Sequence, residues 1–110
     1  MKGTRQERRA AVGSTVAERE LRMRWRLSAR ARLEEDDGGA RFLLDTYNAA
    51  MSTCNDTAWT LLRQLKRGAS IQSLARELVA RYDAAPRSAR SDALNFVRRL
   101  RRMGLVDAAS

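Results

Sequence analysis

The side chains best suited to chemistry in this chain are few. There is one cysteine, Cys54, one run of four carboxylates, Glu34-Glu35-Asp36-Asp37, one glycine pair, Gly38-Gly39, and no histidine. A cysteine nucleophile needs a base to draw off its proton, and a serine triad needs an imidazole, so neither has its partner here. A lone thiol without histidine also makes no zinc set and no internal disulfide. Cys54 closes a weakly apolar stretch at an inward position, where a small thiol behaves as a buried hydrophobe. The four carboxylates could hold a cation or act as an acid–base pair. They run directly into Gly38-Gly39, however, and that is the composition of a solvated hairpin tip. The glycines are not followed by a helix at phosphate-loop spacing. The sequence therefore predicts no catalytic residue, no metal ligand and no cofactor, and its first implication is a binding protein rather than an enzyme.

Charge narrows the class of partner. Twenty-two Lys and Arg against 13 Asp and Glu give a formal charge of +9, which favours an acidic partner: nucleic acid, an acidic peptide or an acidic protein surface. Arginine-rich helices that are merely solvated faces explain the same excess. With 110 residues the chain has room for one modest core. Met1 to Ala11 lacks the apolar segment of a secretory signal, and no apolar run approaches the length of a membrane span. The expectation is a cytoplasmic protein with no membrane association.

The elements that must position these residues follow from periodicity. Residues 1–24 are set off as a basic extension, disordered or partly helical, and residues 25–110 as the binding domain. Leu21 and Trp25, four apart, with Val16 and Met23 nearby, allow a thin-striped helix over Thr15 to Leu27. From Ala29 the period changes to two: Ala29, Ala31 and Leu33 alternate with Arg30, Arg32 and Glu34, as in a half-buried strand. After the hairpin tip, Arg41 to Tyr47 returns, and Ala50 to Cys54 forms a third strand too polar for a sheet centre but acceptable at an edge. Three helices follow. Ala58, Leu61, Leu62 and Leu65 share a face of the first, capped by Asn55 or Asp56 and ended by Gly68. Ser70 caps the second, whose stripe runs Ile71, Leu74, Ala75, Leu78, Val79 and Tyr82. The third runs from about Arg87 to Met103 with Ala93, Phe96, Val97 and Leu100 inward, and Leu105 and Val106 fold back behind Gly104.

An edge strand beside a helix can accept an extended peptide, because its unpaired N–H and C=O groups need partners. On the third helix, Asp92, Asn95, Phe96, Arg99 and Met103 form one shoulder that offers an apolar surface, a carboxylate and a cation together. In this order the pieces resemble the PqqD family of peptide chaperones, the RiPP recognition element. The resemblance is carried by the strand–turn–strand of Arg30 to Tyr47, the Cys54-Asn55-Asp56-Thr57-Ala58 junction and Arg81-Tyr82-Asp83. The Asp92-Ala93-Leu94-Asn95-Phe96-Val97-Arg98-Arg99-Leu100 helix running into Gly104-Leu105-Val106 completes it. Cys54 stands where the family usually has leucine.

The resemblance implies an α+β, winged-helix-like module of three antiparallel strands followed by three helices. It implies capture of the leader segment of a ribosomally made precursor peptide, and its presentation to a modifying enzyme such as a radical SAM protein or a leader peptidase. In that family the leader adds as a strand, which assigns Met51, Ser52, Thr53 and Cys54 on the third strand and Asp92, Asn95, Phe96 and Arg99 on the third helix. The alternative is a winged-helix-like DNA-binding protein using Arg87, Arg90, Arg98, Arg99, Arg101 and Arg102. Against it, the strands precede the helices, and the half of the helix that would read bases is Ser88, Ala89, Ser91 and Asp92.

Overall fold

A computed structural model of the chain describes residues 18–109. The order is β1 (Arg24–Leu27), β2 (Ala31–Glu35), β3 (Arg41–Asp45), β4 (Ala50–Thr53), α1 (Asp56–Arg67), β5 (Ala69–Ser70), α2 (Ile71–Tyr82), α3 (Pro86–Arg102) and β6 (Val106–Ala109). The protein is α+β, with two antiparallel three-stranded sheets ordered β2-β3-β4 and β5-β1-β6.

The first two helices begin where a side chain satisfies a free backbone N–H, and α1 ends where a backbone N–H satisfies a free carbonyl. Asn55 Oδ1 accepts from Ala58 N at 2.8 Å, and Gly68, at φ 94°, donates its N–H to Leu65 O. Ser70 Oγ accepts from Ser73 N at 3.1 Å at the start of α2. Pro86 opens α3, where its missing N–H costs nothing. Inward stripes at helical spacing meet in one core: Leu61, Leu62 and Leu65 from α1, Ile71, Leu74 and Leu78 from α2, Ala89, Ala93, Val97 and Leu100 from α3. Leu65, Ile71, Leu74 and Val97 are wholly buried, so truncating one of the larger three to alanine costs about 2–5 kcal/mol.

The helix expected over Thr15 to Leu27 is corrected in part. Residues 18–22 are helical, but Arg24–Leu27 is a strand, and residues 1–17 lie outside the described part. Alternation explains the strand: Trp25 is buried and Leu27 half-buried between exposed Arg24 and Arg26. A strand needs partners distant in sequence. Trp25 pairs with Ala69 on one side and Ala108 on the other, so the apolar return expected of Leu105 and Val106 is in part a second sheet. The strand expected from Ala29 begins two residues later, with Ala31 and Leu33 facing the core as anticipated.

Arg30, read as one of the solvent-facing positions of that strand, is instead its anchor. Its Nη2 donates to Met103 O at 2.6 Å and to Asp45 Oδ2 at 3.4 Å, and its guanidinium lies 4.9 Å from the centre of the Tyr47 ring. Gly104 at φ 74° lets this happen, since a Cβ there would stand 3.1 Å from the guanidinium. Asp45 is buried and also accepts from Tyr47 N, Asn48 N and Asn48 Nδ2. The Asn48 amide, more than the Arg30 charge, holds its carboxyl below the usual carboxylate range. The hairpin sheet is thus bolted to the C-terminal end of α3.

Candidate functional site

The sheet β2-β3-β4 has two edge strands, and β4 is one of them. Register decides what that edge presents. Leu43 stands opposite Ser52 and Phe42 opposite Thr53, and Cys54 N donates to Arg41 O at 2.8 Å. Antiparallel ladders alternate, so Ser52 and Cys54 turn their backbone groups towards β3. Met51 and Thr53 turn theirs outward, where no further strand lies among the described residues. All four residues of β4 are solvent-exposed, Met51 to 64 %. Ser52 and Cys54 share the sheet face of buried Leu43, and Cys54 is half-buried against the core. That burial pushes its thiol pKa up, and among the described residues no group of three or more His, Cys, Asp or Glu side chains could hold a metal ion.

The helical half of the candidate site lies on one side of α3. Asp92, Asn95, Phe96 and Arg99, spaced three, four and seven apart, share a strip beside the buried line of Ala93, Val97 and Leu100. Phe96 is half-buried and packs against the core, so it is not wholly core. Asp92, Asn95 and Arg99 are exposed, and none has an ion-pair partner among the described residues. The structure therefore brings the four β4 residues together on one edge and the four α3 residues together on one strip.

The other shoulder of α3 is occupied. Glu20 receives Arg98 Nη2 and Nε at 2.7 and 2.9 Å, with Arg101 at 4.0 Å, and its backbone oxygen accepts from Trp25 Nε1. Arg101 also stacks over the Trp25 ring at 4.7 Å. The Arg98 hydrogen bonds hold the Glu20 carboxyl below its ordinary pKa and raise that of Arg98. Nothing local in the sequence announces this clasp, because Glu20 and Arg98 lie 78 residues apart. The same holds for Arg30 and Met103.

A small α+β domain with one exposed, uncharged sheet edge is a class of fold that can accept an added strand. A family model described as "Coenzyme PQQ synthesis protein D (PqqD)" matches residues 41–106, and the chain belongs to the PqqD family. Among solved structures it is similar to one described as "Lasso peptide synthetase B1 complexed with the leader peptide", at 26 % identity and a TM-score of 0.65 over 76 % of this chain and 96 % of that one. It is also similar to TbiB1 in complex with the TbiA(beta) leader peptide: 15 % identity, TM-score 0.66, 77 % of this chain and 98 % of that one. The PqqD truncation of Methylobacterium extorquens PqqCD, described as a stand-alone RiPP recognition element, shares the fold at 22 % identity and a TM-score of 0.61 over 76 % of this chain and 88 % of that one. No curated protein matches the chain.

Proposed function

We propose that this protein is a non-catalytic peptide chaperone. It captures the leader segment of a ribosomally made precursor peptide by strand addition to β4 and presents it to a modifying enzyme. The observation that carries this is the pair of outward-facing backbone units, Met51 and Thr53, on an uncharged edge. Family membership and the likeness to a leader-bound lasso peptide synthetase B1 support it. A guest paired to Met51 and Thr53 would extend the sheet face that carries Ser52 and Cys54. Phe96 would supply the apolar contact, and Asp92, Asn95 and Arg99 the polar ones. Residues 25–110 form the winged-helix-like module on this reading, and residues 1–24 its extension. The enzyme served is a radical SAM protein or a leader peptidase, and the setting is cytoplasmic; among the described residues no helix is long and apolar enough to cross a membrane.

The DNA-binding alternative draws less from the same helix. Arg98 and Arg101 are engaged with Glu20 and Trp25, and these two are half of the cations in the C-terminal half of α3 that it would use. Anisotropy of a labelled leader from a candidate precursor peptide separates the two at low and high salt with a DNA duplex as competitor. Peptide binding that persists at high salt and ignores the duplex is expected. Duplex binding that collapses with salt, without peptide binding, would overturn the proposal.

A further inference from the structure

The exposed face of α1 carries cations that no carboxylate pairs with among the described residues. Trp59, Arg63 and Arg67, spaced four apart, form a ridge with a depression on each side. One depression opens towards α2, where Arg81 stands; the other opens towards β2, where Leu33 and Lys66 line it. The two carboxylates that line these depressions are already neutralised. Glu35 pairs with Arg41 at 3.2 Å and Glu77 with Arg81 at 3.0 Å. Arg63, Lys66 and Arg67 are exposed and have no carboxylate partner among the described residues, so three positive charges stand uncompensated along one helix face. Arg24 and Arg26 extend the basic strip at its end, donating to Gly68 O and Arg67 O. Trp59 is half-buried beneath the Arg41 guanidinium, 5.4 Å from its ring centre, which fixes the floor.

We propose that this ridge is a second docking surface, and that its occupant is an acidic surface of the enzyme that receives the peptide. The assignment to that enzyme rests on the chaperone reading above. Position supports it: the depression beside β2 is at the opposite edge of the sheet from β4. None of its lining residues is among those given to the peptide, so both partners fit at once. The charge pattern selects a protein over nucleic acid. On α1 the cations left without a carboxylate partner, Arg63, Lys66 and Arg67, are confined to residues 63–67, a cluster that one acidic protein patch can match, whereas a phosphodiester track is held by a longer run of cations. Arg41 already lies over one face of the Trp59 ring, which removes that face as a platform for a base.

The test is a charge reversal in the full chain, Arg63→Glu with Lys66→Glu and Arg67→Glu, beside the conservative Arg63→Lys with Arg67→Lys. Titration calorimetry would use the radical SAM protein or leader peptidase that acts on the same precursor, and anisotropy the labelled leader and a DNA duplex. The expected result is a loss of enzyme affinity of roughly tenfold or more in the reversed variant, near wild-type affinity in the conservative one, and leader affinity within about twofold. Unchanged enzyme affinity on reversal would overturn the proposal. So would loss of leader binding in a reversed variant whose circular dichroism and melting temperature are retained, or an effect confined to the duplex. Wild-type protein that binds the enzyme through these cations but not the leader would instead defeat the chaperone reading and leave this surface standing.

Discussion

The two edges of the hairpin sheet differ in one respect that organises the whole molecule. Along β2 the side chains include Arg32, Glu34 and Glu35, with Arg32 and Glu34 paired at 3.0 Å, and such charges discourage another strand from pairing. Along β4 the sequence is Ala-Met-Ser-Thr, exposed and without charge. A sheet that closes one edge against strands and leaves the other open is selective by default. The contrast is repeated on α3, where Glu20 clasps one shoulder through Arg98 and the other shoulder stands free. Open edge and free shoulder are the two halves of the proposed peptide site.

The contrast breaks most completely if the open edge loses its donors. Met51→Pro with Thr53→Pro removes two outward N–H groups without touching the bonds to β3, and proline is tolerated where the N–H faces solvent. Leader binding should fall below detection by anisotropy while the melting temperature changes by only a few degrees. Glu35→Pro, on the far edge, should leave leader affinity near wild type. Equal losses in both would show that the two edges are not functionally distinct.

Next in size is Phe96→Ala, which should weaken leader binding by about 2 kcal/mol or more, read as a roughly thirtyfold rise in Kd. Arg30→Met should then lower the melting temperature by several degrees, because Met103 O and the Asp45 carboxylate lose their shared donor. Leader affinity should fall with it if the anchor sets the angle between sheet and helix. The smallest effect concerns the clasp. A carboxyl with a lowered folded pKa stabilises the fold above the ordinary Glu value, roughly pH 4.3, and that gain disappears as pH falls through the lowered folded value. Glu20→Gln should therefore lower the urea midpoint modestly at neutral pH and match wild type once pH has fallen below the lowered folded value.

How much of this was legible in the sequence depended on range. Asn55, Gly68 and Ser70 mark helix ends through bonds to residues within four positions, Pro86 marks one through its missing N–H, and all three helices fall where those signals and the apolar stripes set them. The period-two run through Leu33 and the polar character of Ala50 to Thr53 likewise gave the hairpin and its edge. β1 was misassigned because Leu21 and Trp25 fit helical spacing as well as strand alternation, and only Ala69 and Ala108 decide between them. Arg30 and Glu20 were invisible as anchors for a related reason: charge in a sequence carries no sign of its distant partner. Of the proposed site, local pattern places β4 at a sheet edge and the four α3 residues on one strip, while nothing local distinguishes the ridge of Trp59, Arg63 and Arg67 from an ordinary solvated helix face.

The seam between β1 and β6 carries a consequence for how the chain reaches this state. Arg24 pairs with Ala109 and Leu27 with Val106, so this ladder joins segments from opposite ends of the described chain. The hairpin β2–β3–β4 joins only neighbours and pays little loop entropy. Folding should therefore be ordered in time, with the peptide-accepting edge formed early and the terminal seam zipped last. Amides of Arg24–Leu27 and Val106–Ala109 should then exchange ahead of the helical core, which would make the seam the place where the molecule first comes apart.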